Sequence, residues 1–201
     1  MVEVPSTLSL ADFHDVMQVS MGWMDCHMHQ FVTKSSVRFE RFIDDMDLGF
    51  GSPALDESEY RLCDVKSELK RRLAYVYDMG DDWVHAIKLV KSMPLTDTDA
   101  PIALLCRDGA RACPPEDCGG PWGYMDICDA LKVPEASRTG DQVERIEWLG
   151  EYDPEAFDLA ETNQGLMRLA KDLNKRAKAA SRRSTASSEK RPRRSADGSA
   201  R

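Results

Sequence analysis

His27 and His29 stand two apart in "CHMHQFV", a stretch with the alternation of a strand. On a strand, His27, His29 and Phe31 share one side, and Cys26, Met28 and Gln30 share the other. The two imidazoles are then spaced roughly 7 Å along the chain. His85, on the arm "DDWVHAIKL" with Trp83, Ile87 and Leu89, adds a third. Three histidines are a ligand set for zinc or another divalent ion. The same residues also read as half-buried imidazoles bonded to Asp78, Asp81 or Asp82. The expectation is that no cofactor is bound, with a divalent metal such as zinc as the alternative.

The second chemical feature is "CPPEDCGGPWGY", Cys113 to Tyr124. Pro114 and Pro115 fix two φ angles and push the residue before each out of the helical region. Glu116 and Asp117 follow on that stiff base, and Gly119, Gly120 and Gly123 permit close backbone approach. Such a loop presents carboxylates at a fixed place. They serve either a binding or acid/base site, or the capping of backbone N–H groups that holds the loop in shape. The cysteines Cys106, Cys113 and Cys118 lack the paired Cys-x2-Cys spacing of a structural zinc site. They read as small buried residues, with a mixed Cys–His site as the alternative. Phosphate-loop, dinucleotide, nucleophile-elbow and zincin motifs are not found in the chain.

These residues need a scaffold, and its elements are legible. "VEVP" ends a strand without a nearby hairpin partner. Ser9 caps a helix carrying Leu10, Phe13, Met17 and Met21, which Gly22 stops. Residues 44–60 read as an acidic loop, "VKSELKRRL" as a short helix, and "LAYVYDMGDDWVHAIKLVK" as a hairpin turning at Met79–Asp82. Residues 92–123 read as irregular. "MDICDAL" and "QVERIEWLG" are short helices. "DPEAFDLAETNQGLMRLAKDLNKRAKAA" is a long one, capped by Asp153 with Pro154 in its first turn. Strands and helices interleave without βαβ regularity. The expectation is therefore α+β, a small mixed sheet with a β-grasp-like core, helices on one face and a long C-terminal helix.

The net charge of −8 divides unevenly. Residues 171–201 hold 11 basic and 3 acidic residues, or +8; residues 1–170 hold 16 and 32, or −16. Residues 1–175 are expected to form one domain. Residues 176–201 form a basic Ser/Arg/Lys-rich tail, disordered from about Ser181. An acidic body repels phosphate, so contact with nucleic acid falls to Lys175, Arg176, Arg182, Arg183, Lys190, Arg191, Arg193 and Arg194, weakly and without sequence preference. A start without basic and apolar signal regions, and no apolar run of spanning length, point to a cytoplasmic protein with reduced thiols and no membrane partner.

Five stretches carry a resemblance: "VPSTLSLADFHDVMQVSMGW", "HMHQF", "YVYDMGDDWVHAIKL", "CRDGARACPPEDCGGPWGY" and "IEWLGEYDPEAFDLAETNQGL". In this order they resemble the plasmid pRiA4b ORF-3-like family, whose members include insertion-sequence passenger proteins labelled TnpR. The resemblance covers about residues 1–170. Family members usually carry a further N-terminal strand before "VP", so the start is expected to be shortened relative to them. Cys118 stands where Val is frequent, and Met79 where Phe is. The resemblance implies a mobile-element link but no defined reaction. A recombinase would need serine or tyrosine among phosphate-clamping arginines, and the acidic body offers neither.

The expected function is a non-enzymatic binding or accessory protein with an unknown protein partner. Its candidate binding residues are His27, His29, Asp81, Trp83, His85, Glu116, Asp117, Trp122 and Tyr124. The alternative is a metal-dependent hydrolase-like enzyme using the histidines as ligands and Glu116 or Asp117 as base.

Overall fold

The computed structural model describes residues 1–41, 54–94 and 100–189, with side chains to residue 182. Helix α1, Leu10–Met21, begins where expected: the Ser9 hydroxyl accepts from the Asp12 N–H, and Gly22 ends the helix with φ of 89°. Strands β2 (His29–Val32), β3 (Arg38–Glu40), β4 (Leu55–Asp56), β5 (Leu73–Tyr77) and β6 (Trp83–Ile87) form one mixed sheet in the order β4-β3-β2-β5-β6. Only the β3–β4 pair is parallel. The fold is thus α+β, with helices α1, α2 (Lys66–Arg71), α3 (Gly120–Lys132), α4 (Gly140–Leu149) and α5 (Leu159–Glu189) around the sheet.

Residues paired across neighbouring strands share a face. The register puts His29, Tyr77 and Trp83 in one row, and Phe31, Tyr75 and His85 in the next. This aromatic face is the inner one: Phe31, Tyr75 and Tyr77 are fully buried. α1 lies on it, with Phe13 on Phe31 and Gln18 donating to the Tyr75 hydroxyl at 2.9 Å. The opposite face carries Gln30, Val84 and Ala86.

β1 (Val2–Glu3) finds its partner a hundred residues away in β7 (Leu105–Cys106), antiparallel. α5 holds that distant segment by two asparagines on one face. Asn163 accepts from the Cys106 N–H at 2.8 Å and donates to its carbonyl at 3.0 Å. Asn174 does the same for Ile102, at 2.8 and 2.9 Å. Each amide imitates the next strand of a ladder. Gly165 lets α5 come close to α1, since a Cβ there would sit 2.9 Å from Val19 Cγ1.

Several boundaries differ from the sequence reading. The stretch read as an acidic loop contains β4 and a short 3-10 turn, Glu57–Glu59; its residues 44–53 lie outside the described ones. α3 starts inside the proline-glycine loop, because Gly120 and Pro121 form its first turn. Asp153 caps only an isolated turn, and α5 begins after Asp158, whose carboxylate accepts from the Glu161 N–H at 2.8 Å. The tail boundary shows no break, as α5 continues through Ser181 to Glu189. Lys175, Arg176, Ala177, Lys178, Ala179 and Ala180, which carry the helix across that boundary, are good helix formers. Lys190, Arg191, Arg193 and Arg194 lie outside the described residues, as does the Arg183 side chain. Among the described residues no helix is long and apolar enough to cross a membrane.

Candidate functional site

The β5–β6 turn is built by Asp78. Its backbone takes φ of 57°, and its Oδ1 accepts from the N–H groups of Gly80 and Asp81 at 2.9 and 3.3 Å. Oδ2 is left to point away from the turn. The proline loop reaches this turn from the other side. The Gly119 N–H donates to Asp81 Oδ2 at 3.2 Å, and a Cβ on Gly120 would lie 2.5 Å from the Asp81 carbonyl oxygen. Two further contacts seat the loop. Trp23 Nε1 donates to the Pro114 carbonyl at 3.0 Å, and the Tyr152 hydroxyl donates to the Cys113 carbonyl at 3.0 Å.

The loop thereby brings its acids to His27. Glu116 Oε1 accepts from the Met24 N–H at 3.0 Å and from the Tyr77 hydroxyl at 3.1 Å. Its other oxygen lies 3.7 Å from His27 Nε2; Asp78 Oδ2 lies 3.6 Å away and Asp117 Oδ1 3.2 Å away. His27 Nε2 is itself buried and makes no hydrogen bond. Cys26 Sγ also lies within 4.8 Å of ligand atoms of His27 and Glu116. An imidazole and three carboxylates from three separate chain segments thus converge at one end of the sheet. Asp117 is mostly exposed and opens the cluster to solvent.

The other predicted residues go elsewhere. His27 does not continue β2, which begins at His29; Asp25 takes φ of 53° and turns the preceding chain. The three-histidine set does not assemble: among the described residues, no possible ligand cluster contains His85 or pairs His27 with His29. His29 and His85 do share the inner face, but the Tyr75 and Tyr77 rings stand in the rows between them. His85 Nδ1 faces the Tyr75 carbonyl at 3.3 Å, and burial lowers its pKa. Asp81 is absorbed in holding Gly119. Trp83 is buried and meets Tyr124 edge-on at 6.3 Å. Trp122, a candidate binding residue, does not join them: it is 78% exposed on α3. Trp23 takes its place, stacked on Tyr77 at 4.6 Å and tilted against Trp83 at 6.0 Å.

Burial disfavours the thiolate form of the loop cysteines. Burial, with the nearby Glu116 charge, pushes Cys113 up to about 12; burial and Asp81 push Cys118 up to about 11. All six cysteines are free.

A second polar cluster was not anticipated. His14, buried on α1, stacks on His29 with ring centroids 3.5 Å apart and planes within 5°. His14 Nε2 bonds Asp25 at 2.8 Å, and its Nδ1 lies 2.8 Å from the Tyr75 hydroxyl. His29 Nε2 bonds the buried Glu57 at 2.8 Å. Arg41 lies 3.5 Å from Asp25 and 3.7 Å from Glu57. An imidazole binds an ion along its own plane, and two planes stacked face to face do not meet. This cluster is therefore a hydrogen-bonded network, and one ion could join both rings only by turning one of them. The sequence signal for it is weak: His14 and Gln18 at i, i+4 in an otherwise apolar stripe. For Asp78 and Cys26 the signal is their place beside the hairpin turn and beside His27.

The family model for plasmid pRiA4b ORF-3-like proteins matches residues 1–161. The chain belongs to this family. It is 33% identical over 187 residues to the uncharacterized protein y4hQ of Sinorhizobium fredii (strain NBRC 101917 / NGR234), covering 88% of this chain and 87% of that protein. It is also similar to the crystal structure of MM3350, a protein of unknown function from Methanosarcina mazei Go1. The TM-score is 0.63 at 30% identity, over 79% of this chain and 85% of that one. The structural likeness thus spans most of both chains.

Proposed function

We propose that this protein is a non-enzymatic binding module whose ligand is cationic and is taken by the carboxylates around His27. One observation carries the reading: Asp78, Glu116 and Asp117, from two separate segments, all face the same imidazole nitrogen within 3.7 Å. Carboxylates brought this close repel one another, and a positive ligand relieves that repulsion. The accessory role linked to mobile elements rests on the resemblance to insertion-sequence passenger proteins. The protein it would assist is unidentified. The raised thiols support a binding role over covalent catalysis. The alternative, a metal-dependent hydrolase, draws support from the exposure of Asp117, which leaves room for water beside a bound ion.

The test is a thermal-shift panel of divalent metals, polyamines and guanidinium-bearing compounds. It compares the wild-type chain with a Glu116→Gln/Asp117→Asn double variant. At least one cation is expected to raise the wild-type melting temperature and leave the variant unmoved. A flat response across the panel, or equal shifts in both proteins, overturns the reading.

A further inference from the structure

We infer that the cation is a single divalent transition-metal ion, held by His27 Nε2, Asp78 Oδ2 and Asp117 Oδ1, with Glu116 Oε2 beside His27 as a neighbouring negative charge. This rests on the proposed cation-binding role and names its ligand class.

The spacing is the first argument. The three oxygens lie 3.2, 3.6 and 3.7 Å from the imidazole nitrogen. Two of these distances exceed a hydrogen bond, whose N···O separation is about 2.7–3.2 Å. The third is at that limit, yet Nε2 forms no hydrogen bond at all. Ligands about 2.0–2.2 Å from a tetrahedral ion stand roughly 3.3–3.6 Å from one another, and cis ligands of an octahedral ion stand about 3.0 Å apart. These separations fit groups that share an ion better than groups that hydrogen-bond to each other. The Asp78, Asp117 and His27 donor atoms also lie within 4.8 Å of one another, as one coordination sphere requires.

The second argument is the orphaned nitrogen. His27 Nε2 is buried and makes no hydrogen bond, although three carboxylate oxygens stand 3.2, 3.6 and 3.7 Å away, and an unsatisfied buried polar atom costs stability. The third is how the acids are held. Asp78 Oδ1 is occupied by two backbone N–H groups and Glu116 Oε1 by Met24 and Tyr77. Each carboxylate therefore spends one oxygen on orientation and turns the other toward His27. Such outer bonds are what orient metal ligands. An imidazole with carboxylates suits zinc or manganese; magnesium, which keeps its waters and prefers oxygen, fits less well. The exposed side of Asp117 leaves a position for solvent.

The experiment is calorimetric titration of the untagged, chelator-treated full chain with Zn²⁺, Mn²⁺ and Mg²⁺, together with elemental analysis after dialysis. One Zn²⁺ or Mn²⁺ per chain is expected, with Mg²⁺ at least tenfold weaker. Asp117→Asn, an exposed change that leaves folding intact, and His27→Ala are each expected to weaken binding more than tenfold. Asp129→Asn, at an exposed acid on α3 paired with Lys132, is expected to change nothing. No stoichiometric ion, or full affinity in both site variants, overturns the inference. In that case a surviving response to organic cations in the thermal panel leaves the cationic-ligand reading standing.

Discussion

His14 sits at zero exposure between Asp25, Tyr75 and the His29 ring. Burial, and then His29, lower its pKa to about 4, against the pull of Asp25. The folded protein thus refuses a proton that the unfolded chain accepts near pH 6.5. Stability from this group is complete above about pH 6.5 and is lost as the pH falls toward 4. At 1.36 kcal/mol per unit, the loss is at most about 3 kcal/mol. His85, also lowered, adds in the same direction. Urea unfolding at stepped pH should show this slope. His14→Gln, which takes up no proton, should flatten it between pH 6.5 and 4 while lowering stability at pH 7. An unchanged slope would place the titration elsewhere.

At the scale of elements, the loop and α3 act as one unit because two glycines let the chain touch itself. A Cβ on Gly123 would lie 2.0 Å from the Cys118 carbonyl oxygen, and that oxygen belongs to the loop backbone and cannot swing aside. Gly123→Ala should therefore cost about 1–3 kcal/mol. It should also loosen the hold of Glu116 and Asp117 on any cation. Gly140, at the start of α4, has nothing within 4 Å of its would-be Cβ. Gly140→Ala should be neutral or stabilise by up to about 1 kcal/mol. Denaturant midpoints of the two variants provide the comparison. Equal midpoints would mean that the loop yields.

At the scale of the molecule, the body of −16 and the C-terminal stretch of +8 oppose each other. The stretch is partly engaged with its own domain: Arg176 pairs with Asp15 at 3.2 Å. Binding to a random DNA duplex should be weak and should fall with salt, each neutralised phosphate adding about 0.9 to the log–log slope. A chain ending at Arg182 should lose most of it. Tight or sequence-selective binding by that shortened chain would make the acidic domain a DNA reader. Anisotropy titrations at two salt concentrations distinguish the outcomes.

What the sequence alone determined is what short-range chemistry controls. The Ser9 cap and Gly22 stop of α1 and the β5–β6 hairpin depend on residues a few positions apart. The order of the signature stretches was enough to indicate the family, and the proline-flanked acids marked the loop. Tertiary structure alone decided what those acids meet. Whether His27 joins His29 and His85 or the carboxylates depends on one turn at Asp25 that moves it off β2. Asp78 becomes a candidate ligand because its other oxygen is consumed inside the hairpin turn. The His14–His29 stack requires α1 to lie on the sheet, and β1 pairs with a distant β7 that Asn163 of α5 also holds. Such long-range pairings arise from burial and packing summed over the whole chain, and no local pattern encodes them.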